Sequence, residues 1–173
     1  MAASLSLVLG GAASGKSSFA EALVLKQKKN PLYIATAQAF DPEMEAKIAA
    51  HIASRGSSWT TVEEPFDLAL ALDQADPDHA VLIDCVTLWL TNLMLDNRDQ
   101  DAALGELEAA LERCKAPVTL VSNEVGQGIV PENSMSRRFR EWQGRTNIRL
   151  AARADLVVQV VAGLPNVLKS TLP

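Results

Sequence analysis

Five apolar runs punctuate the chain, at residues 5–9, 32–35, 81–85, 118–122 and 156–161, and polar or glycine-bearing residues follow each before a helical pattern begins. Their hydrophobicity is nearly continuous rather than alternating, which is the pattern of strands covered on both faces and so of a parallel sheet. Helical character fills the intervals at residues 16–26, 41–54, 67–73, 87–95, 102–114 and about 136–153. Strands alternating with helices predict right-handed βαβ crossovers and helices on both faces of the sheet. Ligands in such sheets sit at the carboxyl ends of the strands. No internal repeat, low-complexity tract or linker divides the chain, so residues 1–173 are expected to form one domain.

The first strand-to-helix junction carries the chemistry. Gly10-Gly11-Ala12-Ala13-Ser14-Gly15-Lys16-Ser17 fits G-x-x-x-x-G-K-[ST], with an apolar strand before it and a helical stretch after it. Glycines in this setting let the backbone turn several N–H groups, and the positive end of the helix, onto phosphates. Lys16 is then expected to reach the β- and γ-phosphates of a nucleoside triphosphate, and Ser17 to ligate Mg²⁺. The fold class expected is therefore α/β, a three-layer P-loop NTPase (RecA-like) domain with a mainly parallel central sheet. Asp84 closes the third apolar run, where a second carboxylate for the metal is found in proteins built around this loop. The same aspartate is equally placed to cap the helix that begins near Thr87, and both readings stand.

Charge and cysteine content narrow the classes of partner. The 173 residues carry a net charge of −5, which disfavours a general attraction to nucleic acid or to an anionic membrane. Cys85 and Cys114 lie far apart without a CxxC spacing, so neither a zinc site nor a disulfide framework is implied, and two buried free thiols are expected. The chain runs from Met1 through a short apolar stretch into the glycine-rich loop without a basic leader, and no apolar run has the length of a membrane span. The expected compartment is the cytoplasm.

Asp41-Pro42-Glu43-Met44 starts a helix well, with Asp41 as N-cap and Pro42 at the first helical position. Met44, Ile48, His51 and Arg55 then fall on one stripe. Alone, such a stripe reads as a packed face whose last turn meets solvent. In a nucleotide enzyme with two histidines, the other being His79 in a turn-like Asp76-Pro77-Asp78-His79, a second reading opens. A neutral imidazole attacks an α-phosphorus, and the arginine beside it holds phosphates.

With the phosphate loop, Tyr33-Ile34-Ala35-Thr36-Ala37-Gln38, and the segment from Asp41 through His51 to Arg55, the chain resembles a known enzyme family. Further matching stretches are residues 59–63, Asp84-Cys85-Val86-Thr87-Leu88-Trp89-Leu90-Thr91-Asn92 and Asn123-Glu124-Val125-Gly126-Gln127-Gly128-Ile129-Val130-Pro131-Glu132-Asn133. The family is that of the bifunctional adenosylcobinamide kinase and adenosylcobinamide-phosphate guanylyltransferase of cobalamin biosynthesis. The resemblance implies that ATP or GTP donates a γ-phosphoryl group to a hydroxyl of adenosylcobinamide, and that GTP then transfers GMP to that phosphate through a covalent guanylyl-histidine. The family histidine matches His51. Ala35, Thr36, Ala37, Ile52, Ala53, Ser54, Arg55, Glu63 and Asp84 are implied in the guanine nucleotide site. The resemblance implies no organic cofactor, a corrinoid substrate and a homotrimer. Relatives often carry arginine at the position of Ala13, so no phosphate contact is implied for that side chain.

Two further features have ordinary alternatives. Glu124 follows an apolar strand and is placed either to take a proton from a substrate hydroxyl or to cap a neighbouring amide. Arg137, Arg138, Arg140, Arg145, Arg149 and Arg153 supply six of the sixteen basic side chains in one helical segment, and are expected to form a solvated face. Trp89, Trp142 and Phe139 are expected in the core or at a subunit contact. The rival functions are a monofunctional small-molecule kinase, in which His51 is structural, and a regulatory nucleotide-binding module, which would be expected to carry a partner-binding extension.

Glu63 gives the base-reading expectation, because one carboxylate accepts both the N1 and the N2 protons of guanine and adenine offers no such pair. Glu63→Gln should reduce the preference for GTP over ATP in the nucleotidyl transfer step by about 10-fold or more. Competition between the two nucleotides measures this, and an unchanged preference would remove Glu63 from that role.

Overall fold

A computed structural model describes residues 4–38, 56 and 58–170. In chain order its elements are β1 (Leu5–Gly10), α1 (Lys16–Leu25), β2 (Asn30–Ala35), β3 (Thr60–Glu63), α2 (Leu68–Asp73), β4 (His79–Asp84), α3 (Val86–Leu95), α4 (Gln100–Arg113), β5 (Val118–Asn123), α5 (Ser134–Arg153), β6 (Leu156–Val161) and β7 (Leu164–Ser170). The strands form one sheet in the order β3-β2-β4-β5-β1-β6-β7. Every pairing is parallel except β6 with β7. The helix expected at residues 41–54 lies outside the described residues.

Neighbouring residues along each central strand point to opposite faces of the sheet. Leu7, Ile34, Ile83 and Leu120 pack on one side with Trp89, Leu107 and Leu150 from the helices, whereas Val8, Tyr33, Leu82 and Val121 pack on the other with Ala20 and Val24 of α1. Two-sided burial explains why these strands read as unbroken apolar runs. Trp89 is 1% exposed and anchors its layer through Nε1, which donates to the Phe66 carbonyl at 2.7 Å.

Five strands were legible as apolar runs; β3 and β7 were not. Both are edge strands with a wet face: three of the four residues of β3 and six of the seven of β7 are exposed. The signal that marks β7 is the two-residue turn Ala162-Gly163, with φ of 51° and 77°, the positive values that a tight hairpin takes at both central positions. Pro165 fits because an edge strand can dispense with one N–H donor.

Arg137, Arg138, Arg145 and Arg153 of α5 are exposed as expected of a solvated face, whereas Arg140 and Arg149 are half-buried, and several of the six are tied to other groups. Arg149 holds Glu108 of α4 through two bonds of 2.8 and 2.7 Å, and Arg153 bonds both Glu108 and Glu112. Arg137 donates to the Pro131 and Glu132 carbonyls at the start of its own helix, and Arg140 donates to the Gly126 carbonyl. A helical stripe of one sign reads as solvent-facing until the facing helix is known, and here α4 presents carboxylates at matching positions.

Glu108 is 7% exposed, and the guanidinium of Arg149 beside it holds its carboxyl below the usual carboxylate range. A depressed folded-state value contributes stability above the unfolded pKa of about 4.3, and the contribution is lost as the pH falls through the folded value. Glu108→Gln should therefore lower stability at pH 7 by about 1–3 kcal/mol, with the deficit shrinking as the pH drops below about 4. Urea unfolding at the two pH values checks this; an equal deficit at both would rule out the ion pair as its source.

Candidate functional site

Between the end of β1 at Gly10 and the start of α1 at Lys16 the backbone wraps into a cup. Gly15 begins the helix at φ 91°, a left-handed conformation that strains any side chain, and a Cβ there would lie 3.2 Å from Cα of Gly163. No side chain caps α1, so the N–H groups of its first turn are free for an anion.

Three carbonyls of the cup have partners, two of them in distant parts of the chain. The Gly10 carbonyl accepts from Glu124 N–H at 3.1 Å, that of Gly11 from Ser14 N–H at 3.4 Å and from Lys16 Nζ at 3.2 Å, and that of Ser14 from Gly163 N–H at 2.8 Å. The N–H of a trans peptide points opposite to its carbonyl. The N–H groups of the same peptides, those of Gly11, Ala12 and Gly15, thus point away from these partners.

Strand register brings the other site residues to the same edge. Glu63 pairs with Ala35, Ala35 with Asp84, Asp84 with Val121 and Val121 with Val8, two residues before the loop. At about 4.8 Å per strand, Glu63 and Asp84 stand about 10 Å apart along the carboxyl edge. Glu63 is exposed there and Asp84 is half-buried.

Thr36 is fully buried and committed to the fold. Its Oγ1 donates to the Cys85 carbonyl at 2.8 Å and accepts from Cys85 N–H at 2.7 Å, across an Asp84–Cys85 peptide that is cis. Its own carbonyl accepts from Asn92 Nδ2 at 2.8 Å. Burial pushes the Cys85 thiol up to about 11, the Asp84 charge adds to the rise, and Lys16 pulls the other way. Cys85 is buried as expected, whereas Cys114 is only half-buried.

The helix-cap reading of Asp84 does not hold. The residue that caps α3 is Cys85, whose Sγ accepts from Leu88 N–H at 3.4 Å. Among the described residues neither the Asp84 carboxylate nor the Ser17 hydroxyl has a hydrogen-bond partner, and both are oxygen donors of the kind a hard dication takes, so they fit Mg²⁺. His79, the second histidine, accepts from Asp76 N–H through Nδ1 at 2.9 Å and closes its own turn. His51, Ile52, Ala53, Ser54 and Arg55 lie outside the described residues.

Glu124 does cap a neighbouring amide: Oε1 accepts from Gly126 N–H at 2.5 Å. The residues that hold this loop were missed in the sequence. Thr87, Ser122, Gln143 and Asn147 are all buried. The available signal was polarity at otherwise apolar positions, Gln143 and Asn147 sharing one helix face and Ser122 interrupting an apolar strand.

A mainly parallel sheet with a triphosphate cup at the end of β1 defines a P-loop nucleotide-binding protein. The flagellar accessory protein FlaH from Methanocaldococcus jannaschii has a similar fold, at a TM-score of 0.52 and 12% identity over 96% of this chain and 78% of that one. The model of the cobinamide kinase / cobinamide phosphate guanyltransferase family matches residues 6–168, and the chain belongs to that family. Kinase and guanyltransferase action on cobinamide comes with the membership. The bifunctional adenosylcobalamin biosynthesis protein CobP of Pseudomonas aeruginosa is 46% identical, covering 94% of this chain and 96% of the relative. Its counterpart CobU of Salmonella typhimurium is also 46% identical, covering 91% and 96%.

Lys16→Met should weaken binding of a non-hydrolysable triphosphate by about 10–100-fold, the worth of a charge-assisted bond to phosphate. Calorimetric titration measures it, and a thermal melt should move little because Nζ bonds only a loop carbonyl. Unchanged affinity would take Lys16 out of the phosphate site.

Proposed function

We propose that this chain phosphorylates adenosylcobinamide from a nucleoside triphosphate and then transfers GMP from GTP to the product through a guanylyl group on His51. The observation that supports the reading is the cup at residues 10–17, whose Gly10 and Ser14 carbonyls are held by Glu124 N–H and Gly163 N–H and whose helix α1 starts without a side-chain cap. In the first reaction the acceptor hydroxyl attacks the γ-phosphorus, the bond to the β-phosphate oxygen breaks, and a nucleoside diphosphate leaves. Lys16 and the loop residues Gly10, Gly11, Ala12, Ala13, Ser14, Gly15 and Ser17 hold the charge that develops on the phosphates, with the Ser14 N–H kept for the Gly11 carbonyl. Ser17 and Asp84 would hold Mg²⁺, which when bound would supply neutralisation of the phosphate charge.

In the second reaction the His51 imidazole attacks the α-phosphorus of GTP and pyrophosphate leaves. A phosphate oxygen of the corrinoid then displaces the histidine, giving adenosylcobinamide-GDP. A covalent relay splits one displacement into two easier ones. Arg55 steadies the phosphates, Glu63 reads the guanine, and Ile52, Ala53 and Ser54 complete the nucleotide site with Ala35 and Ala37. Thr36 contributes as scaffold, because its hydroxyl and carbonyl are already bonded within the fold. The working unit is a cytoplasmic homotrimer without an organic cofactor, and either ATP or GTP serves as phosphoryl donor.

Incubation with GTP labelled at the α-phosphate should give an acid-labile, base-stable label on the protein that His51→Ala abolishes and cobinamide phosphate removes. No label on the unaltered protein would overturn the relay and leave a kinase.

A further inference from the structure

Three residues on one face of α5 grip the loop that leaves β5. Arg140, Gln143 and Asn147 fall at i, i+3 and i+7 of the helix and so form a single stripe. Asn147 Nδ2 donates to the Asn123 carbonyl at 3.1 Å, and Arg140 donates to the Gly126 carbonyl. Between them Gln143 Nε2 donates to Ser122 Oγ at 2.8 Å and to Asn147 Oδ1 at 3.1 Å, and Ser122 Oγ donates to Asn147 Oδ1 at 2.7 Å. From the opposite side Thr87 Oγ1 accepts from Asn123 N–H at 2.8 Å. The Asn123 peptides are thus held on both flanks, one residue before Glu124.

This network is costly for mere packing. Gln143 is 1% exposed with Oε1 unpartnered among the described residues, and Thr146 beside it leaves Oγ1 unpartnered as well. An unsatisfied buried polar atom destabilises, and apolar side chains would join helix to strand at least as well. What polar groups supply here is a fixed loop geometry.

The object being fixed is Glu124. Its N–H is bonded to the Gly10 carbonyl, the first of the phosphate loop, and β5 lies between β1, which carries the loop, and β4, which ends at Asp84. Gly126 N–H occupies Oε1, and among the described residues nothing occupies Oε2. We infer that Glu124 is the base that takes the proton of the acceptor hydroxyl in the phosphoryl-transfer step, and that the Arg140–Gln143–Asn147 stripe is the positioning device that aims it. The hydroxyl proton passes to Oε2 as the hydroxyl oxygen bonds the γ-phosphorus, and the electron pair of the breaking bond leaves with the nucleoside diphosphate. The inference rests on the kinase reading above.

The two reactions separate this role from general damage to the site. A hydroxyl needs a base, whereas the acceptor of the guanylyl group is a phosphate already ionised at neutral pH. Glu124→Gln should lower kcat for phosphorylation by on the order of 10²-fold or more, with KM for the triphosphate little changed, and lower guanylyl transfer to supplied cobinamide phosphate far less. Asn147→Ala should lower phosphorylation by about 10-fold in the parent and cause no further loss in the Glu124→Gln background, since it acts only through that carboxylate. If Asn147→Ala fails to fold by thermal melt, Arg140→Met, which releases the Gly126 end of the loop, is run through the same cycle. Equal loss of both reactions in Glu124→Gln, or additive losses in the cycle, overturns the inference. Failure of the unaltered protein to phosphorylate cobinamide would instead overturn the kinase reading itself.

Discussion

A peptide group carries its N–H and its carbonyl on opposite sides, so a loop that turns successive amides onto one anion must turn as many carbonyls away from it. Those carbonyls need partners, and where the partners come from decides which distant parts of the chain belong to the site. Here they come from the end of β5, through Glu124 N–H, and from the β6–β7 turn, through Gly163 N–H. Because β6 runs parallel to β1, its carboxyl end emerges beside Gly10 and delivers the turn to the loop. The antiparallel edge strand that departs from the parallel plan is therefore what returns the chain from that turn.

The same constraint explains the distribution of polar groups in an acidic protein with an arginine-rich helix. α5 is tied to α4 along one line, by Arg149 and Arg153 to Glu108 and Glu112, and to the β5 loop along another, by Arg140, Gln143 and Asn147. Four of its arginines, Arg137, Arg140, Arg149 and Arg153, are engaged by carboxylates and carbonyls of the same chain. A net charge of −5 and a basic helix thus coexist, with part of the helix's charge paired inside the chain.

How much of this was legible in the sequence follows from what each feature depends on. Strands covered on both faces announce themselves as apolar runs, and the phosphate loop as a spaced motif, because both are local in the chain. β3 and β7 were missed because an edge strand needs only half a buried face, and the short runs Thr60–Glu63 and Leu164–Ser170 carry too little periodicity to count. Asp84 as a helix cap could be rejected only with Cys85 seen in that position. The stripe on α5 was missed for a different reason: polarity at Gln143 and Asn147 gains a meaning only when Ser122 and the Asn123 carbonyl are brought opposite them, across more than twenty residues. Charge pairing across helices hid the purpose of Arg149 in the same way.

Strand order also bears on how one edge could serve two reactions. Of the five strands from β3 to β1, β4 is the middle one, so Asp84 stands about 10 Å from the strand that carries Glu63 and as far from the strand that feeds the phosphate loop. A dication held by Asp84 would supply charge to the phosphates of either reaction. Under the proposed reactions the two chemistries then differ chiefly in what flanks that centre. On the β5 side Glu124 would take the proton that a neutral hydroxyl must lose. On the β3 side Glu63 would select the nucleotide whose α-phosphorus the histidine attacks. Conversion of the acceptor from hydroxyl to phosphate by the first reaction removes the need for a base in the second, so a single sheet edge has no call for two sets of proton-transfer groups.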